Sequence, residues 1–433
     1  MKDIQIALLG FGTVGSGVAE AIRRNGEALS VQLGARLHVK TVLVRDTAKY
    51  ASHELLQGVR LTKDFNDIAD DDEISIVIEV MGGLSPAKEY IYKALEKGKN
   101  VVSANKDLVA KCGPEIIRLA EKNHVNFSCE ASVGGGIPIL VPLHDSLAAN
   151  RIDKILGIVN GTTNYILTAM TDTGESYETA LAEAQEKGFA EADPTNDVCG
   201  YDAARKLAIL ASIGFRANVT FDDVAVEGID KITQQDVLYA KDMGYVIKLL
   251  AVATREDGGI ALNVYPAFVP KAHPLASVKG SYNAIYVVGN IVDDVMFYGR
   301  GAGSLPTASA VMGDVIATAK HIVTNTTGTG MILTETQHAN LYSSKKLCDS
   351  YYFRLIVKDA TGVLAGIAQI LANCDISINE VVQKRRFQNC AELMLIVESA
   401  PRENIDRVVT ALSALSTVVE IANVVRVLTN GNE

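Results

Sequence analysis

Residues 4–15 read IQIALLGFGTVG, a short apolar run that closes on three spaced glycines. Gly10, Gly12 and Gly15 form a G-x-G-x-x-G pattern, and TVGSGVAEAIRRN (13–25) follows with helical spacing. Alone the pattern means little. Between a strand and a helix it predicts a turn that binds a dinucleotide. Gly10 allows the tight turn, Gly12 lets the backbone approach a pyrophosphate, and Gly15 lets the helix pack on the strand. Phe11, Thr13 and Val14 complete the loop. The helix N-terminus beyond them offers free N–H groups to an anion.

Strand and helix alternate outward from this turn. LHVKTVLVRD (37–46), ISIVIEVMG (74–82), NVVSAN (100–105) and VNFSCE (125–130) read as strands, with PAKEYIYKALEKGK (86–99) and PEIIRLAEKN (114–123) as helices. Strands this apolar predict a parallel sheet covered on both faces. Residues 1–135 are therefore expected to form a Rossmann-type, doubly wound NAD(P)-binding domain. The second strand ends in Arg45-Asp46. Arginine there suits a 2′-phosphate and favours NADP, while Asp46 keeps NAD open.

Residues 136–323 are organised differently. A strand, RIDKILGIVNG (151–161), is followed by three helical patterns, then a helix running into strands. That grouping predicts an α+β catalytic and dimerisation domain, with the helix at 306–322 returning to the first domain. The polar stretch 324–350 reads as a linker. Residues 351–430 alternate as βαββαβ, the ferredoxin-like order.

Composition bounds the function. The 433 residues are too many for one ordinary core. A hydrophobic share of 48% with 21% charged residues is that of a globular protein. The net charge of −10 argues against a nucleic-acid surface. No apolar run reaches the roughly 18–20 residues that span a bilayer, and the N-terminus does not read as a signal peptide. Six cysteines without a C-x-x-C pair fit reduced thiols in a cytoplasmic protein.

Three places carry candidate chemistry. Lys106 follows the strand NVVSAN, at the carboxyl end of a sheet where ligands bind. It reads equally as a solvated loop lysine. Glu130 precedes ASVGGGIP, whose carbonyls and one carboxylate are hard oxygen ligands for a cation. The residues alone favour a flexible turn there, with Pro138 at the first helical position. The third place is EADPTNDVCGYDAARK (191–206), an acidic stretch leading straight into LAILASIGF. On a helix Asp202 and Lys206 share a face, and their stripe continues through Ile209 and Ile213. With Leu207, Leu210 and Ala211 covering the rest, the helix is expected to be buried nearly all round. Charges withdrawn from water cost several kcal/mol unless paired or used. A lysine so placed sheds its proton more readily, which suits proton transfer. Glu191, on the preceding loop, suits a substrate ammonium or hydroxyl. Asp193-Pro194 and Gly200 read as turn-shaping residues.

The run Ala184, Gly188-Phe189-Ala190, Asp193-Pro194, Asp197-Val198, Gly200, Asp202 and Lys206 resembles the signature of homoserine dehydrogenases. GFGTVG, VVSANK, CEASVGGGIP, NGTTNYIL and GRGAGSLPTASAV resemble that family in the same order. The resemblance spans essentially the whole chain and is to the monofunctional form. The tail, with DATGVLAGIAQIL (359–371), resembles an ACT domain, in which Asp359, Gly362 and Asn379 lie where an amino acid is often held.

The resemblance implies reversible NAD(P)H-dependent reduction of L-aspartate 4-semialdehyde to L-homoserine in threonine and methionine synthesis. It implies Lys206 as proton donor, Asp202 and Glu191 on the substrate, and Lys106 between substrate and cofactor. Gly188 and Gly303 would touch the cofactor from the second domain. Glu130, Val133, Gly135 and Ile137 would hold a sodium ion. It also implies a homodimer or homotetramer, and threonine or another amino acid at the tail. Two competing readings are another ACT-tailed NAD(P)-dependent dehydrogenase and a non-enzymatic nucleotide-sensing regulator. The dehydrogenase would need an arginine and a His/Glu pair near the nicotinamide, and none of the seven histidines sits in such a motif.

Overall fold

The computed structural model describes residues 2–328, 339–387 and 389–429. Residues 329–338 of the expected linker lie outside the described residues. The chain divides into two compact units. One comprises Met1–Ile155, Arg205–Asp223 and Asn283–Ala339; the other comprises Leu156–Ala204, Val224–Tyr282 and Asn340–Glu433.

The first unit opens with β1 (Lys2–Leu9), α1 (Thr13–Leu33), β2 (Ala35–Leu43) and β3 (Arg60–Thr62). There follow α2 (Asn66–Ala69), β4 (Ile74–Glu79), α3 (Ala87–Glu96), β5 (Asn100–Ser103), α4 (Lys106–Lys122) and β6 (Phe127–Ser128). The six strands form one sheet in the order β3-β2-β1-β4-β5-β6, and every pair is parallel. Ile6, Ala7, Leu8 and Leu9 are all fully buried. A strand buried on consecutive residues, not alternate ones, has both faces covered. α4 begins eight residues before the expected helix start at Pro114, which lies inside it. Proline disfavours a helical residue before it, so the local signal suggested a break that the packed helix overrides.

The chain continues through β7 (Ile152–Ile158), α5 (Gly161–Thr173), α6 (Tyr177–Glu186), α7 (Thr195–Val198) and α8 (Tyr201–Gly214). Beyond these come β8 (Ala225–Val226), α9 (Gln234–Asp242), β9 (Tyr245–Glu256), β10 (Gly259–Pro270), β11 (Tyr282–Gly289), β12 (Asp293–Arg300) and α10 (Ser304–Thr324). The boundary between the units passes through β7 and α8. In the first unit Ala308, Val311, Met312, Val315 and Ala319 of α10 enter the core that holds Ile6, Leu8 and Val18.

The second unit pairs β9 and β10 antiparallel and ends in β13 (Cys348–Lys358), α11 (Val363–Asn373), β14 (Ile378–Phe387), β15 (Cys390–Pro401), α12 (Arg402–Ala414) and β16 (Val418–Val427). This βαββαβ segment orders its strands β16-β13-β15-β14, and all three of its pairings are antiparallel. β16 also runs parallel to β10, matching Ala267 with Arg426 and Phe268 with Val427. One sheet thus runs from the segment into the strands that precede it. The segment's sheet meets α9 through buried charges. Arg354 donates to Asp236 at 2.7 Å and to Glu392 at 3.3 Å, and Asn423 donates to Asp236 at 2.9 Å. Among the described residues, no helix is long and apolar enough to cross a membrane.

Candidate active site

The glycine turn folds as its spacing requires. Gly10 has φ +102°, and a Cβ there would press to 3.2 Å on the Val80 carbonyl oxygen. At Gly15 a Cβ would lie 2.3 Å from the Gly10 carbonyl oxygen, so the first turn of α1 sits directly on the loop before it. At Gly12 nothing lies within 4 Å of that position. No side chain caps α1, and its first turn holds no acid. An open backbone at a helix start with no competing carboxylate is what a pyrophosphate needs.

Arg45 and Asp46 lie just past β2, both exposed. Asp46 Oδ1 accepts from the Ala48 and Lys49 N–H groups at 3.0 and 3.4 Å, so one oxygen of this carboxylate is engaged in its own turn. Gly303, at φ +126°, precedes α10. The sequence reading placed it in the second domain, but it belongs to the compact unit that holds the glycine turn. Ser304 Oγ donates to the Thr13 carbonyl at 2.7 Å, and a Cβ on Gly17 would lie 2.6 Å from the Ser304 carbonyl oxygen. The start of α10 therefore packs on the start of α1.

Lys106 opens α4 directly after its cap, Asn105. Its neighbour Asp107 pairs with Arg205 of α8 at 3.4 Å, and the Arg205 guanidinium lies 5.2 Å from the Phe221 ring centre. Farther along, Val109 and Gly113 of α4 line an apolar gap with Ala208 and Ser212 of α8. These contacts hold the first turn of α4 beside the part of α8 that starts at Arg205. Lys106 and Lys206 thereby occupy adjoining helix turns, and both are partly buried.

α8 is as apolar as its sequence implied, with Leu207 through Ala211 all buried. Asp202 lies one turn before Lys206 and is only 5% exposed. A residue that the sequence reading passed over holds it. Asn160 caps α5, its Oδ1 accepting from Thr163 N at 2.8 Å and Thr163 Oγ1 at 2.9 Å. Its Nδ2 donates to Asp197 Oδ1 at 2.7 Å and to Asp202 Oδ2 at 2.9 Å. The available signal was its place after β7 in NGTTNYIL: an asparagine cap uses its oxygen on the helix and keeps two N–H donors spare.

Glu191 and Gly188 lie between α6 and α7, both exposed, with Gly188 at φ +73°. Asp193 Oδ1 accepts from Thr195 N at 3.1 Å, the expected Asx turn. Gly200 is buried at φ +83°, where a Cβ would meet Val226 at 3.0 Å.

Glu130 follows β6 and is 5% exposed. Its carboxylate accepts from three backbone N–H groups: Ile139, Leu140 at 2.8 Å and Val141 at 2.7 Å. The side chain thus anchors the next helical turn, which begins at Leu140 and not at Pro138. Its own N–H donates to Asp314 at 2.8 Å; burial holds the Asp314 carboxyl well above the usual carboxylate range. Gly134 and Gly135 take φ +71° and +53°. Among the described residues, no group of three His, Cys, Asp or Glu could hold a metal ion. A cation at this loop would rest on main-chain oxygens.

The first unit therefore contains the glycine turn, Arg45, Lys106, Glu130, Val133, Gly135, Ile137, Lys206 and Gly303, and the second contains Gly188, Glu191 and Asp202. A family model described as the NAD binding domain of homoserine dehydrogenase matches residues 10–130, and one described as homoserine dehydrogenase matches residues 138–316. The chain belongs to the homoserine dehydrogenase family. The homoserine dehydrogenase of Bacillus subtilis (strain 168) is 41% identical over 433 residues, which cover 100% of both chains. A crystal structure of a homoserine dehydrogenase from Thiobacillus denitrificans aligns with a TM-score of 0.93 and 39% identity, covering 99% of each chain. A hyperthermophilic archaeal homoserine dehydrogenase in complex with NADPH aligns with a TM-score of 0.62 and 27% identity, covering 73% of this chain and 97% of that one. Like the rest of the homoserine dehydrogenase family, the chain is an NAD(P)-dependent oxidoreductase that acts on the hydroxyl group of homoserine.

Proposed function

We propose that Lys206 is the proton donor in the reduction of L-aspartate 4-semialdehyde to L-homoserine, and that NADPH is the preferred cofactor. The observation that supports this most is the pairing of Arg205 with Asp107, which brings Lys106 and Lys206 to adjoining turns. When bound, the nicotinamide supplies a hydride to the aldehyde carbon. Lys206 Nζ gives its proton to the aldehyde oxygen, and in the reverse direction takes it from the hydroxyl. Lys106 places a second positive charge near that oxygen, which favours the developing alkoxide. Asp202, oriented by Asn160, and Glu191 hold the polar groups of the substrate.

The residues present fit the dinucleotide. Gly10 to Gly15 would hold its pyrophosphate, with Gly188 and Gly303 as further contacts. Arg45, exposed just past β2, is the cationic group for a 2′-phosphate, which supports NADP over NAD. The turn at 130–137 would hold a sodium ion through the main-chain oxygens of Glu130, Val133, Gly135 and Ile137. Residues 351–430 act as an ACT domain that takes threonine near Asp359, Gly362 and Asn379, in a homodimer or homotetramer. Their βαββαβ order supports that reading.

The test is NADPH oxidation with aspartate semialdehyde. Lys206→Ala should lower kcat by at least two orders of magnitude, the usual worth of a positioned acid. Unchanged turnover in that variant removes the mechanism.

A further inference from the structure

Glu79 is fully buried at the carboxyl end of β4, and no step above uses it. Its Oε2 accepts from Ser103 Oγ at 2.7 Å. Its Oε1 accepts from Met81 N at 2.9 Å, Gly82 N at 3.2 Å and Asn105 Nδ2 at 3.5 Å. Its carbonyl accepts from Ala104 N at 3.1 Å. Ser103 Oγ in turn accepts from Asn105 N at 3.1 Å. Asn105 then caps α4, its Oδ1 accepting from Leu108 N at 3.2 Å while its Nδ2 donates to Gly83 O at 2.6 Å. The links through Ser103 and Asn105 run from the carboxylate to the turn that delivers Lys106.

The same segment also touches the dinucleotide turn. Val80 N donates to the Leu9 carbonyl at 3.0 Å, and the Val80 carbonyl lies under Gly10. Residues 79–83 therefore bridge the glycine turn and the start of α4. A purely apolar residue could fill this space more cheaply, because an ionised carboxylate is costly to hold out of water. Burial does push the Glu79 carboxyl up from its usual range, while the donors from Ser103, Met81, Gly82 and Asn105 pull it back.

We propose that Glu79 is a positioning residue for the reaction: it sets the direction in which α4 leaves β5, and thereby the placement of the Lys106 side chain relative to the dinucleotide. The inference rests on the role given to Lys106 above. Glu79 touches neither substrate nor cofactor in this scheme and acts only through the Ser103–Asn105 turn. Glutamine in its place keeps the acceptor for Met81 and Gly82. It turns an N–H₂ toward Ser103 Oγ, whose hydroxyl then loses its acceptor. The turn loosens while the strand and its packing stay.

A double-mutant cycle tests it. Glu79→Gln, Lys106→Ala and the double variant are assayed by NADPH oxidation, with thermal melting and the NADPH KM measured alongside. Glu79→Gln should lower kcat at least ten-fold, the scale of a misplaced group, with KM for NADPH within about three-fold of wild type. In the Lys106→Ala background the same substitution should change kcat by less than about two-fold, since residues that act through one another are not additive. Equal fold losses in both backgrounds, or an unchanged kcat in Glu79→Gln, overturn the proposal. An unaltered kcat in Lys106→Ala alone instead overturns the role of that lysine. Should Glu79→Gln melt early, Ser103→Ala removes the same link at smaller structural cost and must show the same dependence on Lys106.

Discussion

Replacing Asn160 by aspartate separates its two roles. The variant keeps the oxygen that accepts from Thr163, so α5 stays capped, and a helix N-terminus tolerates the added charge. What changes is the other end. An N–H donor 2.7 Å from Asp197 and 2.9 Å from Asp202 becomes an oxygen. At an effective dielectric constant of about 20, unit charges about 3 Å apart repel by roughly 5 kcal/mol. The cluster relieves this by binding a proton, so the three carboxyls titrate jointly and toward higher pH. Asp202 at 5% exposure has little water to soften that. Initial rates of NADPH oxidation with aspartate semialdehyde, taken from about pH 5 to 9, should show the acid limb of kcat/KM displaced upward by at least about one unit. Asn160→Ala is the control. It removes the cap at about 1 kcal/mol of stability and lowers activity, but adds no charge and displaces the limb less. An acid limb in Asn160→Asp that coincides with wild type refutes the reading that Asp202, oriented by Asn160, works in the site as a carboxylate.

Arg354→Met leaves Asp236 and Glu392 buried without their cation. Asp236 keeps donors from Asn423 and Thr233, so the loss should sit near the low end for a broken buried pair, about 3 kcal/mol, read as a fall in the urea midpoint; a loss under about 1 kcal/mol sinks the reading. Deleting residues after 345 removes Arg354, Asn423 and β16 from β10 together. The truncated protein should melt lower than the full chain and lose any inhibition by threonine, and inhibition that survives the deletion disproves the regulatory assignment. Lys248, 3% exposed, donates to Asn164 Oδ1 at 2.9 Å and to the Val278 carbonyl at 2.5 Å. Burial, with Lys279 adding to it against the weaker pull of Asp172, lowers its pKa to about 8. A folded state that sheds this proton earlier than the unfolded chain gains stability as pH rises from about 8 to about 10.5, by up to about 3 kcal/mol. Lys248→Met should flatten that rise in urea midpoints, and an unchanged slope contradicts it.

Why some of this was legible in the sequence and some was not follows from distance along the chain. The glycine turn is a local constraint: Gly10 and Gly15 are five residues apart, and a Cβ on Gly15 would lie 2.3 Å from the Gly10 carbonyl oxygen, so their spacing alone carries the geometry. The buried stripe of α8 is equally local, and Asp202 and Lys206 lie on one helix as their spacing demands. The carboxylates were harder. The residues around Glu130 favour a flexible turn, with a cation role implied only by the family resemblance, and nothing local shows that its donors sit nine to eleven residues on, at 139–141. Asn160 meets Asp202 across 42 residues, and Glu79 meets Ser103 across 24.

Glu79 in ISIVIEV, Lys248 in YVIKLLAV, Arg354 in YYFRLIV and Glu392 in AELMLIV are single charges inside apolar strands. Such residues are almost never buried unless paired. Each therefore announces a partner on another element, though periodicity cannot name it. In the structure the partners are a helix-capping turn, a helix asparagine and α9. Those are joints at which strands of this chain meet its helices. A lone charge in a strand pattern is thus better read as the mark of such a joint than as a flaw in the strand.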